Sequence, residues 1–232
     1  MELSDFRRQI LILVSTYNRR DVTKLCLSNL CGTKSTASLW LYDDCSSEYG
    51  EEFLREAAPC AEKIFRAEKN MGIDRLRYRM HLDALESPYR FVYHTDNDAF
   101  HDPHWIHRLH EISQIYQGPI GLYNSRFHIG RQRGGLVLSR SCPGISFFYD
   151  KNLIPKETAE ALLTSPPRNS WDYVFGDLLK EIAISQQSYV EHFGANGLHN
   201  SDFERDRAMN PTPYLRKMRP HLLAELTNQK RG

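Results

Sequence analysis

The sequence has no apolar stretch long enough to cross a bilayer; its first hydrophobic run, Ile10–Val14, covers only five residues. A spanning helix needs about 20, so neither a membrane span nor a secretory leader is expected. Charge of one sign is also missing. Thirty Lys and Arg against 29 Asp and Glu leave a net charge of +1, which gives no broad positive field for nucleic acid. No dense Lys/Arg block marks a polybasic anchor, so membrane contact is expected to be peripheral at most. Cysteine is scarce. The five, Cys26, Cys31, Cys45, Cys60 and Cys142, are odd in number and contain no Cys-x-x-Cys pair. A disulfide framework or structural zinc is therefore not expected, and five buried or half-buried free thiols in a reducing cytoplasm are. No internal repeat and no low-complexity stretch appears.

What is present suits one sizeable domain with a short C-terminal appendage, since 232 residues with 41% hydrophobic content can close a substantial core. Ile10–Val14 is continuous and apolar, as a strand covered on both faces should be. Helical spacing follows over 21–30, with Gly32 as a C-terminal stop. Further strands are expected at 39–42, 63–66 and 91–95, and helices at 51–58, 73–85 and 105–116. Alternation of this kind implies βαβ units and a mixed, mostly parallel sheet flanked by helices. The second half is less regular. Strands are expected at 136–139, 145–149 and 188–190, a helix at 171–184, and a helical tail over 214–226 interrupted or restarted at Pro220. The Arg126–Gly135 stretch reads as a mobile basic loop.

Ligands of such sheets gather beyond the carboxyl ends of the strands. Three strand ends carry polar groups suited to that crevice: Ser15-Thr16-Tyr17, Asp43-Asp44 and Asp96-Asn97-Asp98. If the backbone stays extended, Asp96 and Asp98 share a face and Asn97 opposes them. Two hard oxygen ligands there can hold a divalent cation against a phosphate-bearing ligand. The series His101, His104, His107 and His110 has spacing that could serve zinc, but a solvated helix face accounts for it, because no cysteine or supporting carboxylate pattern completes a site.

These motifs, in order, resemble the family 2 glycosyltransferases of the GT-A fold. Leu13–Arg19 resembles that family's first strand and nucleotide loop, and Leu41-Tyr42-Asp43-Asp44-Cys45-Ser46 its second strand end, usually Asp-Asp-Gly-Ser. Asn70-Met71-Gly72 followed by Arg77 resembles its glycine-containing loop and helix arginine, and Asp96-Asn97-Asp98 takes the place of its Asp-x-Asp motif. The resemblance runs from Ile10 to about His199. It implies a GT-A domain over 1–209, with a nucleotide half at about 8–118 and an acceptor half at about 119–209, and a tail at 210–232.

For the site it implies that Ser15, Thr16, Tyr17, Arg19, Asp43, Asp44, Asn70, Gly72, Arg77, Asp96 and Asn97 serve the nucleotide. One of Asp43 or Asp44 would hold the base, and Arg77 would lie near the diphosphate. Asp98 and His192 would hold Mn²⁺ or Mg²⁺, with His199 as an alternative late ligand. The ion would stabilise the departing diphosphate as a Lewis acid. An inverting member also needs a base for the acceptor hydroxyl. Asp172, opening the helix after Ser170-Trp171, is the candidate, although Trp171 stands where the family has Glu; Asp177 competes. The resemblance thus implies an inverting transfer of a sugar from a nucleotide-diphosphate donor, UDP-sugars favoured, to a carbohydrate or glycolipid acceptor in glycan biosynthesis.

Plainer readings stand beside these. Asp96 and Asp98 could cap a turn, Asp43-Asp44 could be a turn pair, Arg77 could belong to a solvated face, Asp172 could be a first-turn acid, and His192 could be a bonded strand-end histidine. Two other functions compete. A nucleotidyltransferase should carry a glycine-rich loop after the first strand, and Ser15–Arg20 has none. A nucleotide-sugar or glycan-binding module without catalysis would fit the loss of Glu at 171.

Overall fold

The computed structural model describes residues 1–193 and 207–229. A short helix, α1 (Leu3–Arg8), leads into β1 (Ile10–Thr16), every residue of which is buried. Helices α2 (Arg20–Thr33), α3 (Glu51–Ala57) and α4 (Ile73–Leu85) connect β1 to β2 (Ser38–Asp43), β3 (Lys63–Arg66) and β4 (Phe91–Asp96). These four strands are parallel, in the order β3-β2-β1-β4. The pleat sends alternate β1 residues to opposite sides. Ile10, Ile12 and Val14 join one core with Leu39, Leu41, Phe53 and Trp105; Leu11 and Leu13 join the other with Leu76, Met80, Phe147 and Phe175.

Past β4 the sheet becomes mixed. β9 (Ser146–Asp150) runs antiparallel to β4, followed outward by β6 (Ile120–Gly121), β10 (Ile182–Ser185), β8 (Leu136–Ser139) and β7 (Gly130–Arg133). Helices α5 (Trp105–Ile115), α6 (Lys156–Thr164) and α7 (Trp171–Leu179) flank it. β5 (Ala99–His101) and β11 (Val190–His192) form a separate antiparallel pair, whose register sets His192 opposite Ala99. That pairing delivers a residue from late in the chain to the end of β4. The final helix, α8 (Pro213–Gln229), seats Leu215 and Leu222 against Cys26, Phe100 and Phe193.

Several expectations are corrected. Gly32 lies inside α2 rather than ending it, where a Cβ would meet nothing within 4 Å. The helix expected to 184 stops at Leu179, where Lys180 takes φ 65°; Ile182–Ser185 is instead a fully buried strand between β6 and β8. A short apolar run carries no period of its own, so sheet burial decides it. Helix α8 continues through Pro220, and α6 was not anticipated. Four residues of the basic loop form β7, an exposed edge strand. His101 belongs to no solvated face: it is buried in β5 and bonds the Tyr93 hydroxyl at 3.0 Å. No helix among the described residues is long and apolar enough to cross a membrane.

The cysteines also depart from expectation. Cys31 and Cys60 form a disulfide with a Cα–Cα distance of 5.8 Å, tying the end of α2 to the segment after α3, while Cys26, Cys45 and Cys142 are free thiols. Helices α2 and α3 pack together, which brings the two sulfurs into range although nothing in their spacing announces it. The argument from five free thiols to a reducing compartment therefore loses its premise. The bridge closes a loop with a sequence separation of 29, for which chain entropy gives about 3.6 kcal/mol. Cys60→Ala should lower unfolding stability by about that amount in urea titrations without reductant. A stability equal to the parent would show that the bridge contributes nothing.

Candidate nucleotide and ion site

The carboxyl ends of β1, β2 and β4 lie side by side, because the register pairs Ser15 with Asp96 and Thr16 with Asp43. Ser15 Oγ donates to Asp96 Oδ1 at 2.5 Å. Arg77, on α4, reaches the same carboxylate oxygen through Nη2, which also donates to the Thr95 carbonyl at 3.2 Å. The guanidinium is wholly buried, whereas a quarter of the Asp96 side chain meets solvent. Asp96 therefore presents an edge to the crevice while its inner oxygen is neutralised from behind. Burial still raises its carboxyl above the ordinary value, with Arg77 opposing.

A buried chain of hydrogen bonds holds Arg77. The Ile154 carbonyl can only accept, so His81 Nε2 donates to it at 3.0 Å, and His81 Nδ1 accepts from the Tyr149 hydroxyl at 2.8 Å. The Tyr149 oxygen accepts from His94 Nε2 at 3.0 Å, and His94 Nδ1 accepts from Arg77 Nη1 at 3.1 Å. A carbonyl at one end and a guanidinium at the other fix every hydrogen in the chain, and both imidazoles are neutral. Burial, the largest cause, lowers His81 to about 4 and His94 well below its usual value; Arg77 lowers His94 further. Trp171 completes the enclosure with its ring 4.7 Å from the Arg77 guanidinium carbon. Its backbone N–H donates to Asp74 Oδ1 at 2.8 Å, fixing the start of α7 to the first turn of α4.

Asp98 is the second carboxylate. Its Oδ2 pairs with Arg19 Nη1 at 2.5 Å and lies 3.2 Å from His192 Nε2; its Oδ1 is buried with no partner among the described residues. Burial alone would raise this carboxyl, but His192 and Arg19 outweigh it and hold it below the usual carboxylate range. Asp96, Asp98, Arg19, Arg77 and His192 thus come together.

Other expected residues support the site from behind. Asp43 is fully buried and accepts from Thr16 Oγ1 at 2.9 Å, Ser46 N at 3.1 Å and Arg66 Nη1 at 2.7 Å, so it does not face the crevice. Asp44 accepts from Met71 N at 2.6 Å and Gly72 N at 2.9 Å, fixing the Asn70–Gly72 loop that opens α4; burial raises its carboxyl despite these bonds. Asn97 turns away to the Asn18 carbonyl at 3.1 Å and Thr23 Oγ1 at 2.6 Å, so its amide buttresses the β1–α2 loop rather than facing a nucleotide. Tyr17 is half-buried and Asn70 exposed at the rim. Cys45 takes φ 62°, the left-handed conformation that glycine adopts without a Cβ penalty. Asp172 is half-buried in the first turn of α7, with Oδ1 accepting from Ser170 Oγ and Tyr173 N. Asp177 lies exposed further along that helix. His199 lies outside the described residues. The sequence reading missed His81, His94, Arg66, Asp74 and Asn18 and gave Tyr149 no part in holding Arg77; His94, two residues before Asp96, and Asn18, beside Arg19, had a positional signal.

Comparisons of the sequence return no match to a protein-family model and none to a curated protein. The fold does match solved structures. S. aureus TarS 1-349 superposes with a TM-score of 0.58 at 14% identity, over 81% of this chain and 61% of that one. S. aureus TarS 1-349 in complex with UDP-GlcNAc gives 0.56 at 15% identity, over 78% of this chain and 57% of that one. The chain therefore spans under two thirds of those structures. The likeness establishes the fold, a mixed α/β domain with a GT-A-like sheet and flanking helices.

The neutral buried histidines set a pH dependence. Unfolded, His81 titrates near 6.5; folded, it titrates near 4. Between those values the unfolded chain binds a proton that the folded chain refuses, so stability is complete above about 6.5 and falls as the pH drops towards 4. The loss from His81 alone is of order 3 kcal/mol. Asp98, with a depressed carboxyl, acts only below the ordinary carboxylate value; the raised carboxyls of Asp44 and Asp96 oppose the loss, while His94, His101 and His128, each lowered by burial, add to it. Urea midpoints should fall steadily from pH 6.5 to 4; a constant midpoint would contradict the neutral, hydrogen-bonded histidines.

Proposed function

We propose that this chain is an inverting glycosyltransferase that moves a sugar from a nucleoside-diphosphate donor to an acceptor hydroxyl, with Mn²⁺ or Mg²⁺ as cofactor. The observation that carries this reading is the meeting of Asp96, Asp98, Arg77, Arg19 and His192 at the carboxyl ends of β1 and β4. A departing diphosphate gains negative charge as the glycosidic bond breaks, and fixed cations beside it stabilise that change without reorganisation. The likeness to TarS in complex with UDP-GlcNAc favours a UDP-sugar.

Two side chains, Asp98 and His192, offer donors to a divalent ion, and no cluster of three or more His, Cys, Asp or Glu side chains that could hold one lies among the described residues. Asp98 Oδ1 is a buried oxygen in want of a partner, and His192 Nε2 stands 3.2 Å from the other oxygen of the same carboxylate. A hard oxygen and an imidazole suit Mn²⁺. Asp98 and His192 would hold the ion, which when bound supplies Lewis-acid stabilisation of the leaving diphosphate. Asp96 orients the donor from the crevice edge, and Arg77 fixes Asp96 from the core. Asn70 and Gly72, on the loop that Asp44 fixes, frame the nucleotide. Asp172 takes the proton from the acceptor hydroxyl as that oxygen attacks the anomeric carbon, giving inversion. Trp171, at the neighbouring position, both covers Arg77 and anchors the helix that carries Asp172. A carbohydrate or glycolipid acceptor enters from the α7 side, any membrane being reached peripherally.

Turnover of UDP-sugars with Mn²⁺ and a panel of acceptors tests the reading. Asp172→Asn should lower kcat by roughly 10²–10⁴ with little change in donor KM. Asp98→Ala should lose Mn²⁺-dependent UDP binding as well as transfer. Full activity in both variants would reject the assignments, and UDP binding without transfer to any acceptor would favour a binding module.

A further inference from the structure

Arg19 already pairs with Oδ2 of Asp98, so a cation held by Oδ1 of the same carboxylate would sit beside a guanidinium. The loop that carries it is heavily determined: Asn18 and Arg19 both take left-handed φ, 53° and 64°. The Asn18 carbonyl accepts from Asn97 Nδ2 at 3.1 Å, Thr23 Oγ1 at 3.1 Å and Tyr49 OH at 3.0 Å. Its side-chain oxygen accepts from Ser47 N at 2.8 Å and Glu48 N at 3.2 Å, and its own N–H donates to Ser46 Oγ at 2.8 Å. Two successive left-handed non-glycine residues persist only where surroundings impose them. Here they aim Arg19 across the crevice. Nη1 pairs with Asp98 Oδ2 at 2.5 Å, and Nη2 donates to the Phe193 carbonyl at 2.6 Å.

The charges then count as follows. Asp96 and Asp98 bring two negative charges; Arg77 and Arg19 already match them one for one. Asp43, the next carboxylate inward, is matched by Arg66. The two pairs are therefore neutral before anything binds, and His192, which helps hold Asp98 ionised, adds no negative charge. A free divalent ion entering such a half-buried site would leave about two uncompensated positive charges in a region of low effective dielectric, facing a guanidinium. A nucleoside diphosphate brings the missing negative charge and gives Arg19 a second anion to pair with.

We infer that Arg19 is the resident counter-charge of Asp98 and makes divalent-ion binding conditional on the donor's diphosphate, so that the two bind as a coupled pair. The inference rests on the ion-assisted reading above and adds to it the residue that sets the coupling. By linkage, the diphosphate tightens the ion by the same factor that the ion tightens the diphosphate.

Mn²⁺ titrations followed by the electron paramagnetic resonance of free Mn²⁺ test this without turnover. The parent chain should bind Mn²⁺ weakly alone and at least tenfold more tightly with saturating UDP. Arg19→Gln should bind Mn²⁺ alone at least tenfold more tightly than the parent, with a smaller UDP enhancement, whereas Arg19→Lys should keep the weak parental affinity. Adding Asp98→Ala to Arg19→Gln should abolish the gained affinity. Equal Mn²⁺ affinity with and without UDP in the parent overturns the inference with no variant needed, and so does an Arg19→Gln affinity equal to the parent's. Mn²⁺ binding that stays undetectable even with UDP overturns the ion-assisted reading itself, and the inference with it.

Discussion

The arrangement at the strand ends depends on one buried cation. Arg77 has no solvent contact, yet its guanidinium bonds Asp96, the Thr95 carbonyl and His94, and lies beneath Trp171. A guanidinium so enclosed is tolerable only when its charge is met, because an unpaired buried charge costs several kcal/mol; Asp96 meets it, and Nε alone of its nitrogens is buried without a partner among the described residues. The His94–Tyr149–His81 chain meets one side and Asp96 meets the other. This constraint joins α4, β4, β9 and α7 into one unit. It also explains why helix α7 starts where it does: Asp74 takes its first N–H while Trp171 closes the cation's apolar side.

From this follows the division of labour among the acidic residues. Asp43 and Asp44 stand at the end of β2 and are directed into the protein, one holding Thr16, Ser46 and Arg66, the other holding the loop that opens α4. Asp96 and Asp98 stand at and just beyond the end of β4 and meet the crevice. Burial of the first pair fixes the loops that aim the second. Arg19 then balances Asp98 from the β1–α2 loop as Arg77 balances Asp96 from the core.

Much of this was legible in the sequence. The continuous apolar run at Ile10–Val14, the 3.6-residue stripe over 73–85 and the run ending at Asp96-Asn97-Asp98 located the parallel half, because each carries a local period or a local chemistry. The Ile182–Ser185 strand was not legible, since four apolar residues fit a helix end as well as a buried strand and only their neighbours in the sheet decide. The Cys31–Cys60 bridge depends on how α2 and α3 pack, and the place of Trp171 makes physical sense only once Arg77 is seen beneath the ring. Tyr149 and His81 are 68 residues apart, and their bond belongs to the fold rather than to any motif.

The most direct measurement of the central claim is a crystal structure of the chain grown with UDP and Mn²⁺. The account places the diphosphate between the β1–α2 loop and the end of β4, with the ion on Asp98 and His192 and with Arg77 still bonded to Asp96. A nucleotide bound elsewhere, or a crevice left empty with Asp98 still paired only to Arg19 and His192, would contradict it.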